Sequence, residues 1–188
     1  MMHLHLKLLL ISVGDKYEQS KSGSPQTRLV ELLQKSMNLR NGDMKIVKSA
    51  GAIVNHPFGS ILFALYELHA EELFIVGHYD CGMSAVDPDI MIEHMKERGI
   101  SDETFDILKY SSHDIDSWLR GFGDVKSSVL KSCEVVRNHP LLAKTIPVHG
   151  LVMDPQTGLF DLLSDGMRIS NKQIKHKGCP EKNFWTAF

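Results

Sequence analysis

Three short apolar runs, separated by two helical stretches, restrict what this chain can fold into more than any other feature. Residues 4–13, "LHLKLLLISV", are rich in Leu, Ile and Val and stop at Gly14-Asp15. Residues 43–51, "DMKIVKSAG", form a second run that stops at Ala50-Gly51, and residues 71–78, "EELFIVGH", form a third. Each has the length and flanks of a buried strand. Between the first two, "QTRLVELLQKSMNL" places Leu29, Leu32, Leu33 and Met37 at helical spacing. Between the second and third, "PFGSILFALYELHA" is an apolar helix, with Pro57 suited to its first turn. Strands that alternate with helices pair in parallel, because each helix carries the chain back across the sheet. The expected class is therefore α/β, with a mainly parallel central sheet flanked by helices. Ligands of such sheets collect beyond the carboxyl ends of the strands.

The remainder fits the same domain. Residues 14–25 are polar and turn-rich, hence a loop. Residues 88–139 read as helices: Pro88 starts one, Gly99 ends it, and Ser101 caps the next. "DVKSSVLKSCEVVRNHP" closes that run. "IPVHGLVMD" and "LFDLLS" are strands joined by the hairpin-like turn "PQTG". Residues 1–164 form one domain, and 165–188 a polar, basic and loosely held tail that ends in Trp185 and Phe188. The N-terminal apolar run lacks a small-residue cleavage site and meets Asp15 at once, so it reads as a strand rather than a signal peptide.

Three cysteines, Cys81, Cys133 and Cys179, make no disulfide framework, which points to a reducing cytoplasm. A formal net charge of −2 gives no reason for a nucleic-acid partner, and no apolar run is long enough to span a membrane.

The chemistry concentrates in "VGHYDCGMSAV", residues 76–86. His78 and Cys81, with two residues between them, stand at the end of the third strand. Cys as thiolate and His as neutral imidazole are common zinc donors, and Gly77 and Gly82 allow a tight turn around them. A catalytic zinc takes three protein ligands and keeps an open position. His56, His94 and His149 are further candidate donors, though histidines in such places are more often surface or core residues. Cys133 has apolar helical neighbours, Val129, Leu130 and Val136, and reads as a buried small hydrophobe. Cys179 lies in the tail.

These blocks, in this order, resemble the β-class carbonic anhydrases. "VGHYDCGMSAV" resembles the zinc-binding turn of that family, and "NGDMKIVKSAGAIV" its second strand and the following loop. "SILFALYELHAEELFIVGHYDCGM" resembles its next helix and strand, and "VHGLVMDPQTGLFDLL" its final hairpin; together they cover most of residues 28–163. The resemblance implies an α/β fold, one zinc ion, interconversion of carbon dioxide and bicarbonate, and a homodimer. It implies His78 and Cys81 as metal ligands and Ala50, Gly51 and Gly82 beside the substrate. The family's first Cys lies in a C-x-D-x-R motif at the end of the first strand. Its Asp positions the zinc-bound water or closes off the zinc, and its Arg holds that Asp.

This chain has no C-x-D-x-R, and two registers are open. Anchored on the helix, "SPQTRLVELL" puts Ser24, Gln26 and Arg28 at the Cys, Asp and Arg positions. Anchored on the strand, "ISVGD" puts Val13 and Asp15 at the Cys and Asp positions, with 16–26 as an insertion. A mixed site, with Asp15 from the strand and Arg28 from the helix, follows if the two meet in space. No register supplies a Cys: a serine hydroxyl stays protonated where a thiolate would form, and valine cannot coordinate. The helices that the family carries before its first strand are also not evident in 1–27.

Two functions follow as expectations. One is zinc-dependent hydration of carbon dioxide with a third donor from water, Asp15 or the loop. The other is a catalytically inactive member with a binding or regulatory role. A hydrolase of a small carbon–sulfur compound on the same scaffold is a third reading.

Overall fold

The computed structural model describes residues 7–13, 25–40, 42–55, 57–110 and 115–167, with backbone alone for 8–13 and 25–29. Five strands form one sheet: β1 (Lys7–Val13), β2 (Met44–Ala50), β3 (Glu72–His78), β4 (Val148–Met153) and β5 (Phe160–Ser164). The order is β2-β1-β3-β4-β5. The first four are parallel to their neighbours, and β5 is antiparallel to β4. This is the α/β class expected.

β3 is buried along its whole length, which is why it reads as a continuous apolar run rather than an alternating one. Its side chains still divide by parity. Leu73 and Ile75 join a core with Ile61, Ala64 and Leu65 of α2 (Phe58–Tyr66) and Val129, Cys133 and Val136 of α6 (Val125–Asn138). Phe74 and Val76 join a second core with Leu33 of α1 (Pro25–Ser36), Leu151 and Met153. The sheet is thus covered on both faces.

Gly77 serves this packing and not a turn. A Cβ there would lie 2.7 Å from Val129 and 2.8 Å from Val125, so only glycine lets α6 approach β3 so closely.

The helices between β3 and β4 begin where their capping residues stand. Asp87 accepts from Asp89 N–H ahead of Pro88 in α3 (Pro88–Glu97), and Gly99 follows that helix at φ +98°. Ser101 caps α4 (Asp102–Lys109), and α5 (Ile115–Leu119) follows. Asp124 caps α6, accepting from Ser127 N–H at 2.7 Å. Two boundaries differ from the sequence reading. Pro25 is already helical. Pro57 stands before the first turn of α2 as its N-cap, its carbonyl accepting from Ile61 N–H at 3.1 Å.

The β4–β5 turn at 155–158 closes with Gly158 N–H donating to Asp154 O at 2.8 Å, Gly158 at φ +74°. Residues 165–167 pack back on β4: a Cβ on Gly166 would meet Val148 N at 2.4 Å. The remainder of the tail, 168–188, lies outside the described residues, and no described helix is long and apolar enough to cross a membrane.

Candidate active site

The sheet order places the site. β1 lies between β2 and β3, so the chain leaves β1 towards one edge and passes β3 on the other side. That reversal is the crevice where open parallel sheets hold ligands. Val13 ends β1 opposite Ala50, the last residue of β2. On the other side β1 pairs with β3 as far as Ile11 opposite Val76. Two residues further in that register, Val13 stands level with His78.

His78 is 1 % exposed and Cys81 2 % exposed. Between them Asp80 takes a left-handed backbone, φ 55°, a conformation that Asp tolerates better than most residues. Tyr79 N–H donates to Met153 O at 3.0 Å and locks the end of β3 to β4. His78 Nδ1–H donates to Tyr79 O at 2.8 Å. A carbonyl only accepts, so this bond puts the proton on Nδ1 and the ring's lone pair on Nε2. Tyr79 reaches further: its hydroxyl donates to Asp161 Oδ2 at 2.5 Å, and Lys126 Nζ pairs with the same oxygen at 2.8 Å. The Lys126 hydrogen bond, aided by Tyr79, holds the Asp161 carboxyl below its usual range.

After Cys81 the chain makes a short 3₁₀ turn, Gly82–Ala85, tied by Ser84 Oγ donating to Cys81 O at 2.8 Å. Gly51, at φ +65°, faces this turn across a narrow gap: a Cβ would lie 3.2 Å from Met83 Cβ and 2.6 Å from the Phe122 ring. The structure therefore brings the β2 end, Ala50-Gly51, to the segment that begins at Gly82.

Phe122 was not legible as a site residue. It belongs to a Gly121-Phe122-Gly123 loop whose Phe122 N–H donates to Met83 O at 3.2 Å. Two glycines around one aromatic were the signal, but nothing local said which segment the loop would cover.

The other candidates separate from this place. His149 is on β4 opposite Phe74, four residues before the partner of His78, so it belongs to the other end of the sheet. His94 is exposed on α3. Cys133 faces Gly150 on the α6 side, and burial pushes its thiol up to about 11, so it stays protonated. Arg28 is on α1, with its side chain outside the described residues, as are Asp15, His56 and Cys179 altogether. Among the described residues no group of three His, Cys, Asp or Glu side chains surrounds a common point.

Residues 28–160 match the carbonic anhydrase family model. The chain belongs to the β-class carbonic anhydrase family. It is 49 % identical over 164 residues to the Bacillus subtilis (strain 168) protein "Putative carbonic anhydrase YtiB", covering 81 % of this chain and 88 % of that one. The β-carbonic anhydrase isoform I of Trichomonas vaginalis superposes with a TM-score of 0.68 at 27 % identity, covering 87 % of this chain and 84 % of that one. A carbon disulfide hydrolase of Acidithiobacillus thiooxidans is 24 % identical over 148 residues, 75 % of this chain and 73 % of that one. The carbonic anhydrase match starts at residue 28, beyond β1, so it leaves the register of 13–27 to the fold.

Beyond the site, buried His149 contributes to the acid response of this carbonic anhydrase fold. Burial, opposed by nearby Asp165, lowers its pKa from 6.5 to about 4. The unfolded chain takes up that proton below about pH 6.5, while the folded chain refuses it until about 4. Stability from this residue is therefore complete above pH 6.5 and is lost as pH falls towards 4, by about 3 kcal/mol in all. Denaturant melts at pH 7 and pH 4.5 should show wild type losing about 2–3 kcal/mol more than His149→Phe. Equal losses would mean that His149 does not set this slope.

Proposed function

We propose that the chain binds one zinc ion through His78 Nε2 and Cys81 Sγ and catalyses the reversible hydration of carbon dioxide. The observation that carries this reading is the fixed ring of His78. A backbone carbonyl takes its Nδ1–H, as is usual for a zinc-ligating histidine, and a buried cysteine follows three residues later. The mixed nitrogen and sulfur donor set suits zinc. When bound, zinc brings the pKa of water down to about 7, which supplies the nucleophile for carbon dioxide at neutral pH.

The other roles fall to this chain's own residues. Asp15 lies two residues beyond Val13 in sequence and outside the described residues. In this reading the Asp15 carboxylate would orient the attacking water or complete the donor set, and Arg28 would hold it. Ala50, Gly51 and Gly82 would flank the substrate, and the Phe122 ring packed close against Gly51 offers an apolar surface suited to an uncharged one. The level position of Val13 and His78 favours the strand register of the missing Cys.

Zinc per chain, by elemental analysis of full-length protein purified without chelator, and hydration of carbon dioxide by stopped flow test the proposal. Near one zinc with a measurable rate is expected, and Asp15→Asn should keep the zinc and slow hydration. Near zero on both counts would overturn it. The chain would then be a catalytically inactive member with a binding or regulatory role, a reading that Val13 and Ser24 at the two candidate Cys positions favour. Zinc with turnover of carbon disulfide alone would overturn the substrate.

Val13→Cys should restore a Cys-His-Cys set and tighten zinc by at least about tenfold, while Ser24→Cys should not. The reverse result would favour the helix register.

A further inference from the structure

A cavity separate from the turn at His78 and Cys81 opens elsewhere in the molecule. It lies on the α1 face near the amino ends of the strands. Phe74 marks its floor four residues before His78, about 13 Å away along β3. The cavity has a volume of about 280 Å³. Its walls include Met37, Leu151, Phe160 and Leu162, and Leu162 is 47 % exposed at its mouth.

One polar side chain inside it is unsatisfied. His149 is 2 % exposed, and its Nε2 has no hydrogen-bond partner among the described residues. The state of that nitrogen follows from its neighbour. Gly166 N–H donates to His149 Nδ1 at 3.2 Å, so Nδ1 carries no proton and Nε2 does. The low pKa of the ring keeps it neutral at physiological pH. The ring is held flat on Phe74, centroids 4.5 Å apart and planes 10° apart, so the Nε2–H direction is fixed. Burying a donor without a partner costs free energy, and a partner from outside recovers it.

The surroundings say which partner. Glu72 Oε2 lies 4.0 Å from Nε2, too far for a hydrogen bond but close enough to be bridged by one atom. Asp165 Oδ1 lies 3.8 Å from Nδ1, and Lys7 Nζ sits 5.3 Å from the centroid of the Phe74 ring. Of these charged groups Glu72 and Lys7 line the cavity, one carboxylate and one ammonium, so the lining carries no net charge to hold an ion. The Nε2–H donor disfavours an ammonium, which also only donates. A hydroxyl meets both demands, accepting from Nε2–H and donating to Glu72. The apolar walls require the rest of the molecule to be hydrocarbon. A dry cavity of about 150 Å³ holds benzene, so this larger one has room for a ring with a short alkyl chain.

We propose that this cavity is a binding site, separate from the metal turn, for a small uncharged aromatic alcohol whose hydroxyl bridges His149 Nε2 and Glu72.

Calorimetric titration of the full chain with 4-propylphenol, propylbenzene and 4-propylbenzoate tests it. One 4-propylphenol per chain is expected. Propylbenzene, which lacks the hydroxyl, and 4-propylbenzoate, which carries the charge, should each bind at least about tenfold more weakly. Leu162→Trp, at the exposed mouth, and His149→Phe should each weaken 4-propylphenol by about tenfold or more. Cys81→Ser should leave its affinity unchanged, which separates this site from the metal turn. No binding at millimolar concentration, equal affinity for propylbenzene, or loss in Cys81→Ser with retention in Leu162→Trp would overturn the proposal.

Discussion

Cys81→Ser should lose its zinc and, with it, at least about a thousandfold in the rate of carbon dioxide hydration. The size of the effect has two sources. First, His78 and Cys81 are the proposed donors at this turn, and a serine hydroxyl stays protonated where a cysteine would bind as thiolate. One imidazole then remains where a stable site takes three ligands. Second, without the metal the pKa of the attacking water returns from about 7 to 15.7, and hydroxide is no longer available at neutral pH. The fold should survive, because Cys81 stands in a turn tied by its own backbone to Ser84 and not in either core.

Cys133→Ser is the control. That thiol is on the α6 face of the sheet with its pKa raised to about 11, so its loss should cost stability and leave zinc in place. Elemental analysis and stopped-flow assays of both variants check the pair. Full zinc in Cys81→Ser would place the metal elsewhere.

Gly121→Ala should destabilise the protein by about 4 kcal/mol, one of the larger effects open to a single methyl group. The added Cβ would lie 2.0 Å from Met83 O and 3.2 Å from Val86 Cβ. Met83 O is backbone, and it already accepts from Phe122 N–H, so neither side of the contact yields without breaking that bond. The cost is steric, since the positive-φ glycines are Gly42, Gly51, Gly99 and Gly158 and alanine suits the backbone at 121.

For a chain of this length the melting temperature should fall by about 8–16 °C. Gly123→Ala, where a Cβ meets nothing within 4 Å, should change stability by no more than about 0.5 kcal/mol. Thermal melts of the two variants give the comparison. Equal melting temperatures would mean that the 121–123 loop does not pack on the Gly82–Ala85 turn. Because Phe122 rides on that loop and touches the Gly51 position, Gly121→Ala should also open the pocket wall and lower activity.

The strands and helices were legible because their signals are local. Leu73 to Val76 is apolar without alternation, and only a strand buried on both faces needs that. Asp87-Pro88, Ser101 and Asp124 mark helix starts because their oxygens reach backbone N–H groups two or three residues on. The nearness of His78 and Cys81 along the chain is local in the same way, both standing at one strand-to-turn end. His149 was visible as a histidine on a late strand. Its distance from His78 was not, since this depends on the β3–β4 register.

By itself, then, the sequence determined the α/β class, the order of the elements and the chemistry offered by the "GHYDCGM" turn. All three depend on contacts within a few residues or on the period of apolar side chains. Only the tertiary structure decided that β1 runs between β2 and β3, that Val13 stands level with His78 and Ala50, and that Phe122 closes on Gly51. It alone placed His149 between Gly166 and Glu72 over an apolar cavity. These are meetings of segments tens of residues apart. They are set by which faces of the sheet the helices cover and by how closely backbone can approach backbone, and neither quantity is written in any one stretch of the chain.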